Sequence, residues 1–394
     1  AESYIFVNVR HWAGSVQERR CISLSDGSGS RREVFGGVDY KLLVLFPGPG
    51  TSGGIAMTDR PLRIAQLGVG NWGKNVLRNL LGLPGVEVPV VADIDPALRA
   101  ATARQYPTLR VVESVDAVLS EPGLDAVVIA TPPRTHYELA LKALTEGKNV
   151  FVEKPLTLSA SDAEVLVREA EARGLVLMVG HILEYHPAFL RMKEMIDAGE
   201  LGDLLYAYST RVNLGVVRRD ENALWSFAPH DVSVILWFFG EAPSRVQCTG
   251  QAYLQPGIED VAFLSLAFPS GRLAHIHVSW LDPHKIRRLT LVGSRKMAVL
   301  DDMEAMEKIR VYDKGVGKGT YLGYGEDLSL RFGDIWAPYV QMREPLRAEL
   351  EHFVQCIRTG ERPRSDGRDG LRVVRVLEGA QRSLKRGGEP VSLD

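Results

Sequence analysis

The sequence contains few cysteines, and this scarcity bears on where the protein works. Only three occur in 394 residues, Cys21, Cys248 and Cys356, and they are far apart along the chain. An odd number of scattered cysteines is not the paired framework of a small secreted domain. We therefore expect a cytoplasmic protein without structural disulfides.

Long apolar runs and an excess of one charge are also lacking. The 47 Lys and Arg residues nearly balance the 49 Asp and Glu residues, which disfavours nucleic acid or an anionic membrane surface as a partner. No apolar run reaches the roughly 20 residues that a membrane-spanning helix needs. The pair Arg19-Arg20 precedes no apolar stretch and does not indicate an export signal. We expect neither a nucleic-acid partner nor a membrane segment.

The first 56 residues show no convincing hydrophobic period. Runs of Gly, Ser and Pro at 25–30 and 47–54 interrupt them, and Met57 leads directly into the first regular strand. We predict that residues 1–56 are a low-complexity extension, either disordered or not native, and that the functional protein starts at Met57. The alternative is a strand pair formed by residues 4–9 and 42–46.

A glycine-rich turn follows the first apolar strand of the remaining chain, and a helix with an apolar stripe comes after it. Gly68 permits the tight turn, Gly70 lets a pyrophosphate approach the backbone, and Gly73 lets helix and strand pack closely. The next apolar strand ends at Asp93, which can accept both adenosine ribose hydroxyls and would repel a 2′-phosphate. We predict a dinucleotide site that prefers NAD to NADP. The alternative is a tight turn without a ligand.

Strands and helices alternate between residues 57 and 180, which predicts a doubly wound parallel sheet. Ligands in such sheets lie beyond the carboxyl ends of the strands. Five positions there should line one crevice, namely Gly68, Asp93, Thr131, Glu153-Lys154 and His181. The ammonium of Lys154 can hydrogen-bond a substrate hydroxyl and ease its loss of a proton, whereas an ordinary lysine would extend into solvent.

This set of motifs resembles the Gfo/Idh/MocA oxidoreductases from about Met57 to the C-terminus. The pattern comprises the turn at 68–73, Asp93, Thr131-Pro132 with His136, Glu153-Lys154-Pro155, and Gly-His-Ile-Leu-Glu-Tyr-His-Pro at 180–187. The resemblance implies NAD as the cofactor. It implies cofactor contacts from Gly68, Gly70, Asn71, Trp72, Gly73, Asp93, Thr131, Pro132, His136, Glu153, Lys154 and His181.

Several alternating segments follow residue 202 and predict a mostly antiparallel sheet with one open face. The fold class is therefore α/β plus α+β. A Rossmann domain at 57–180 precedes an α+β domain at 181–394, which includes the C-terminal helices. The resemblance implies that the second domain binds substrate and that its open face forms a homodimer or homotetramer.

The start of a helix near residue 223 carries a second candidate for proton transfer. Ser226 and His230 are four residues apart and would share a helix face. The resemblance implies that His230 takes the substrate proton beside Lys154. Family members usually have aspartate where Ser226 stands, and serine cannot stabilise an imidazolium by charge. The alternative for His230 is a capping or packed histidine.

Arg211, Arg218 and Arg219 precede this helix. Arginines suit phosphate or carboxylate groups, although solvated surface charges are the alternative. With the surrounding motifs they resemble members that act on nucleotide-linked amino sugars, although Glu184 replaces an arginine often found there. The candidate substrate residues are Tyr185, Arg211, Asn213, Arg218, Asn222, Ser226 and His230. We expect no metal, because neither His275 with His277 nor His181 with His186 is joined by Cys or a carboxylate at a recognised zinc spacing.

The predicted function is NAD-dependent hydride transfer from a sugar carbinol carbon, with a nucleotide-sugar of the UDP-N-acetylglucosamine type as substrate. The enzymatic alternatives are an inositol or free-sugar dehydrogenase and an NAD-using glycoside-cleaving enzyme. A non-catalytic NAD-binding module is the alternative outside the enzymes. Ser226 favours the module, whereas Lys154 and His230 disfavour it.

Overall fold

The computed structural model describes residues 3–9, 18–24, 34–35, 38–39, 60–318 and 328–393. The chain divides into two compact units, residues 1–57 and 58–394. The first unit contains two antiparallel pairs: β1 (Ser3–Val9) with β2 (Glu18–Leu24), and β3 (Val34–Phe35) with β4 (Val38–Asp39).

The alternative prediction paired a strand at 4–9 with one at 42–46, and the first unit shows only the first of these strands. Residues 4–9 do form a strand, but their partner is the segment 18–24, and residues 42–46 lie outside the described residues. That the functional protein starts at Met57 stays a prediction. A chain beginning at Met57 should remain folded and bind NAD, and its insolubility would refute the idea.

A parallel sheet begins the second unit and confirms the doubly wound fold. Its strands are β5 (Leu62–Leu67), β6 (Val86–Glu87), β7 (Val90–Ala92), β8 (Arg110–Val112), β9 (Ala126–Ile129), β10 (Asn149–Glu153) and β11 (Leu177–Gly180). Its helices are α1 (Gly73–Leu81), α2 (Pro96–Gln105), α3 (Val115–Leu119), α4 (His136–Thr145) and α5 (Ala160–Arg173). Pro89 separates β6 from β7, because proline cannot donate to the ladder.

The strand order places a crevice between β5 and β9. The order is β11-β10-β9-β5-β7-β8, so the chain runs outward from β5 on one side and then returns to its other side. Every residue of β9 is buried, and alternate side chains enter separate apolar cores on the two faces. A strand buried on both faces must be apolar throughout, as Ala126–Ile129 is.

The second sheet is mixed and mostly antiparallel, as predicted. Its strands are β12 (Leu204–Val212), β13 (Arg245–Gln251), β14 (Val261–Ala267), β15 (Leu273–Ser279), β16 (Ile286–Gly293), β17 (Met297–Asp301), β18 (Ile309–Lys318), β19 (Leu328–Trp336) and β20 (Val391–Ser392). Its order is β19-β18-β17-β16-β12-β15-β14-β13-β20, and β12 pairs with β15 in parallel. The three strands β17, β18 and β19 were not predicted.

Four longer helices accompany this sheet in the described residues: α6 (Pro187–Asp197), α7 (Ala223–Phe239), α8 (Pro345–Thr359) and α9 (Gly367–Lys385). α7 packs on one sheet face, through apolar residues such as Ile235 that share a core with Ile276. α8 instead returns to the first sheet, where Phe353 meets Phe151 edge to face at 5.8 Å. The domain boundary at 180–181 stays a prediction, since the C-terminal helices contact both sheets.

Of the helices in the described parts of the chain, none combines the length and apolar character required to cross a bilayer.

Candidate active site

A crevice of about 940 Å³ opens at the carboxyl ends of the parallel strands. It brings together most of the residues that the sequence predicted. The predicted residues that line it are Gly68, Gly70, Asn71, Trp72, Asp93, Thr131, Pro132, Glu153, Lys154, Arg211, Asn213, Arg218, Ser226 and His230.

The glycine turn at one end of the crevice is packed too tightly for side chains. Gly68 has a φ of +89°, and a Cβ there would lie 2.6 Å from the carbonyl oxygen of Ala130. A Cβ on Gly73 would lie 2.3 Å from the oxygen of Gly68. Gln66 fixes the turn, because its Nε2 donates to the carbonyls of Gly68 (2.7 Å) and Gly73 (2.8 Å).

Space for a ligand begins at Gly70. Among the residues that the structure describes, a Cβ at this position would meet nothing within 4 Å, and no side chain caps the N-terminus of α1. Uncapped N–H groups at a helix N-terminus bind phosphate well. Both observations fit the pyrophosphate of NAD.

Asp93 stands beside this turn with its carboxylate held in place. Its Oδ2 accepts from the backbone N–H of Val69 (2.8 Å), and its Oδ1 accepts from that of Asp95 (2.9 Å). The carboxylate lines the crevice, where it can receive ribose hydroxyls. When NAD is bound, it supplies the hydride acceptor.

Lys154 lies at the centre of the crevice, where the two sheets' residues meet. Its Nζ donates to the carbonyl oxygen of Ser226 in α7 at 2.9 Å. Burial lowers the pKa of this lysine, while Glu221 and Glu153 favour its charged form. The side chain is therefore fixed inside the site and does not extend into solvent.

His136 supports this arrangement from behind the crevice. One ring nitrogen lies 2.8 Å from the carbonyl oxygen of Pro155 and the other 2.9 Å from that of Thr131. The buried imidazole therefore joins the turn after β10 to the turn after β9. It acts on the cofactor site by holding these two turns together.

His230 faces the same space as Lys154, from α7. Burial and the nearby charges of Lys154 and Arg211 hold the pKa of His230 well below its ordinary value. Its Nδ1 is buried and has no hydrogen-bond partner in the part of the chain that the structure describes. Ser226 thus contributes its backbone carbonyl to Lys154, and its hydroxyl makes no hydrogen bond to the buried Nδ1 of His230. A neutral imidazole is ready to accept a proton.

Charged residues form the open end of the crevice. Arg211 is bound to Asp231, with Nε 2.6 Å from Oδ2, and Arg218 contacts Glu221 at 2.9 Å. Arg287, in β16, also lines this end.

Three carboxylates that were not predicted line the crevice at this open end: Asp220, Glu221 and Asp302. Asp302 follows β17, and its Oδ1 lies 3.2 Å from Nε2 of His186. Arg287 was not predicted either, because none of these residues belongs to a motif. Arg287 lies near the start of β16, which neighbours β12, and Asp302 follows β17, the strand beyond β16.

Besides Gly73 and His136, three predicted site residues lie outside the crevice lining and bond to the protein's own residues. Asn222 caps α7 by accepting from Trp225 N–H, and its amide donates to Glu259 at 2.6 Å. The hydroxyl of Tyr185 is buried against His352 (3.1 Å) and Ser365 (3.0 Å). His181 is buried, and its Nδ1 lies 2.8 Å from Asp369. These three residues lie in the segments that join β11 to α6 and β12 to α7, and their side chains do not line the crevice.

The surroundings of His181 differ from the expectation that no carboxylate joins this histidine. Carboxylates do join it in space, because ligand atoms of His181, Glu184 and Asp369 lie within 4.8 Å of one another. The ring nitrogen nearest these carboxylates already takes part in the hydrogen bond to Asp369. That the protein holds no metal stays a prediction.

The fold and the crevice define a Rossmann-type oxidoreductase. Residues 62–181 match the family described as oxidoreductase family, NAD-binding Rossmann fold, and residues 189–299 match the GFO/IDH/MocA C-terminal domain. A solved structure from Magnetospirillum magnetotacticum MS-1, described no further than as an oxidoreductase, is 33% identical with a TM-score of 0.69. The match covers 81% of this chain and 99% of that one. The chain belongs to the Gfo/Idh/MocA family.

Two further relatives are named as dehydrogenases of an inositol and of a nucleotide-sugar. The scyllo-inositol 2-dehydrogenase (NAD(+)) of Bacillus subtilis is 27% identical, over 85% of this chain and 97% of that protein. The UDP-N-acetylglucosamine 3-dehydrogenase structure from Acidithiobacillus ferrooxidans is 25% identical, with a TM-score of 0.70, over 83% and 98%. The protein is thus an NAD-binding oxidoreductase of CH–OH groups in sugar-type substrates.

Proposed function

We propose that this protein oxidises a ring hydroxyl of a nucleotide-linked sugar, with Lys154 and His230 as the catalytic residues. The observation that carries the proposal is the meeting of Lys154, which follows the first sheet, with His230 of α7 in one crevice, where burial lowers the pKa of His230. The glycine turn and Asp93 occupy the other end of this crevice. The nicotinamide end of NAD then lies over the ends of β9 and β10, beside Lys154.

The two side chains divide the work on the hydroxyl proton. A sugar hydroxyl is far too weak an acid to ionise unaided near neutral pH. The ammonium of Lys154 stabilises the negative charge that develops on the oxygen, and the neutral ring of His230 accepts the proton. Because Lys154 is also bound to the Ser226 carbonyl, its position relative to α7 is fixed.

Arg218 at the open end supports the nucleotide as part of the substrate. Its side chain is 48% exposed and contacts Glu221 at 2.9 Å, so its remaining N–H groups are available to a phosphate oxygen. Such charge-assisted hydrogen bonds contribute about 1.5–3 kcal/mol. Arg218→Gln should therefore raise KM for the nucleotide-sugar about tenfold or more.

A free cyclic polyol is the second candidate, and the charge balance favours it. Arg211 is neutralised by Asp231, and Arg218 faces Glu221, so the site offers both donors and acceptors for hydroxyl groups. The Bacillus subtilis relative, named for scyllo-inositol, adds to this support.

One substrate panel separates the two candidates. UDP-sugars, free sugars and inositols are each offered with NAD, and NADH formation is followed by absorbance. Calorimetry with UDP alone and NADH-loaded protein should show binding if the nucleotide is recognised. Arg219→Gln is the matched control for Arg218→Gln, because Arg219 is exposed and absent from the crevice lining. A flat panel with tight NADH binding would favour a non-catalytic module.

A second copy of the chain is our proposed partner for the exposed face of the second sheet. Tyr206 and Tyr208 stack on this face, and Phe263 stacks on His277 with ring centroids 4.4 Å apart. Phe263, Tyr206 and Tyr208 are each at least 40% exposed, so covering them would remove apolar surface from water. Light scattering should show a dimer or tetramer that Phe263→Asp disrupts. Tyr253→Asp, in an exposed loop, should leave the assembly intact.

A further inference from the structure

Three buried glutamates from separate parts of the chain lie at one wall of the crevice, one of them in its lining and two behind it. Glu153 ends β10 and is 8% exposed, Glu184 lies in the short helical turn Ile182–Tyr185, and Glu349 lies in α8. Glu184 and Glu349 are fully buried, and among the described residues their four carboxyl oxygens make no hydrogen bond of ordinary length; Glu184 Oε1 lies 3.6 Å from His181 Nδ1. A buried, unpartnered carboxyl group retains its proton because the ion is costly to desolvate.

Glu153 connects this group of glutamates to the crevice. It lines the crevice, and its Oε1 accepts from the indole N–H of Trp72 at 2.5 Å. Its Oε2 lies 2.8 Å from where a Cβ on Gly180 would be, so the carboxyl group packs directly on the end of β11. The same carboxyl group therefore faces both the cofactor space and the protein interior.

The three carboxyl groups differ in how firmly they hold a proton. Burial raises the pKa of Glu153 to about 7 and that of Glu184 to about 8. Burial and the two other glutamates raise the pKa of Glu349 well above its ordinary value. The Trp72 N–H and the charges of Lys154 and His181 favour the ionised form of Glu153. Glu153 is thus the member that exchanges its proton most readily at neutral pH.

The remaining charged neighbours are largely paired with one another. His181 lies 2.8 Å from Asp369, whose other oxygen accepts from Arg372 at 2.7 Å. Arg364 donates to the backbone carbonyl of Glu184, not to its carboxyl group, and lies over the ring of Tyr185. The phenol of Tyr185 is bound to His352 and Ser365.

We propose that Glu153 is a proton-binding site whose occupancy follows the charge of the nicotinamide ring. This inference rests on the proposed function, which places that ring beside Lys154. The oxidised ring carries a positive charge that the reduced ring lacks. A positive charge near Glu153 stabilises the carboxylate, so the carboxyl group releases its proton to solvent when NAD⁺ binds. With the neutral reduced ring, the proton is taken up again.

Calorimetry of cofactor binding, without substrate, tests this site. NAD⁺ and NADH are each titrated into the protein in buffers of different ionisation enthalpy, which gives the protons released. At pH 7 a group with a pKa near 7 is about half protonated, so NAD⁺ should release up to about half a proton more than NADH. The pyrophosphate is common to both cofactors and cancels in the comparison.

Isosteric variants assign the difference to Glu153. Glu153→Gln keeps an acceptor for Trp72 and should abolish the difference, whereas Glu349→Gln replaces an already neutral carboxyl group and should preserve it. Trp72→Phe removes a hydrogen bond to the ionised form, so the largest difference should move to higher pH. This second variant serves if Glu153→Gln does not fold.

Three results would overturn the proton site while leaving the proposed function intact. One is equal proton release by NAD⁺ and NADH, and a second is a difference that persists in folded Glu153→Gln. A metal found by elemental analysis at His181, Glu184 and Asp369 would also overturn it. If neither cofactor binds, the proposed function fails as well.

Discussion

The two ends of the crevice are built from different kinds of contact. The cofactor end depends on backbone geometry within a short stretch of chain, where Gln66 ties Gly68 to Gly73 and Val69 N–H binds Asp93. The substrate end instead depends on side chains that tertiary packing brings together, such as Arg211 of β12 and Asp231 of α7. Local geometry should make the cofactor end sensitive to steric changes, and the substrate end sensitive to charge.

Loss of either catalytic residue should have the largest effect on turnover. General acid–base groups contribute about a hundred- to ten-thousandfold in rate, so Lys154→Ala or His230→Ala should lower turnover at least a hundredfold. NADH affinity should stay within a few-fold, because the turn at Gly68 is unchanged. Turnover, NADH affinity and melting temperature are measured for each variant.

Ser226→Ala is the control for this pair. Its hydroxyl makes no hydrogen bond to the buried Nδ1 of His230, and the carbonyl that binds Lys154 survives the substitution. Turnover should therefore change little. Near-normal turnover in His230→Ala would remove this histidine from the mechanism.

Methyl groups at two glycines should separate folding from cofactor binding. Gly68→Ala clashes with Ala130 and strains a φ of +89°, which should cost about 1–3 kcal/mol of stability along with NAD affinity. Gly70→Ala meets open space, so the melting temperature should hold while NAD affinity falls about tenfold. Unchanged NAD affinity in Gly70→Ala would move the pyrophosphate elsewhere.

Asp93→Ser should narrow the preference for NAD over NADP. The carboxylate would repel the 2′-phosphate, whereas serine can accept or donate a hydrogen bond to it. Calorimetry with both cofactors measures the change. Equal affinities in the unaltered protein would contradict the role given to Asp93.

Sequence patterns predicted the cofactor end well because its features are local. The spacing of Gly68, Gly70 and Gly73 predicts a turn whose backbone is fixed by its own residues, and the structure has that turn. The parallel sheet and the mixed second sheet are likewise confirmed, since each strand carries its own apolar period. The later strands β17–β19 lack so clear a pattern and were missed.

The substrate end was harder to predict. Its structure depends on where each side chain points and on partners that are distant in sequence. The side chains of Tyr185 and Asn222 lie near motifs in sequence yet turn to His352 and Glu259. His181 finds Asp369, which is 188 positions away. No local pattern indicates such partners, and Arg287 was missed for the same reason.

Charge at the substrate end should move the pH dependence of turnover. His230 is active when neutral, so activity falls as the pH drops through its pKa, which lies well below 6.5. The charges of Lys154, Arg211 and Arg287 help to lower this pKa. Arg287→Gln should raise this pKa and shift the acid limb to higher pH.

Arg288→Gln is the matched control, because this neighbour on β16 is bound to Asp301 and does not line the crevice. Its acid limb should coincide with that of the unaltered protein. An unmoved limb in Arg287→Gln would mean that another group is the base.

The smallest effect is expected at Asn222, and it tests whether this residue belongs to the substrate end at all. Asn222 accepts from Trp225 N–H at 3.1 Å and so caps the helix that carries His230. Loss of such a cap costs about 0.5–2 kcal/mol, so Asn222→Ala should lower the melting temperature by a few degrees. KM should not change, because the side chain does not line the crevice.

Asn222→Asp keeps the capping oxygen but sets a second carboxylate beside Glu259, so it should restore the cap while losing the bond to Glu259. A raised KM with an unchanged melting temperature in Asn222→Ala would return this residue to substrate binding.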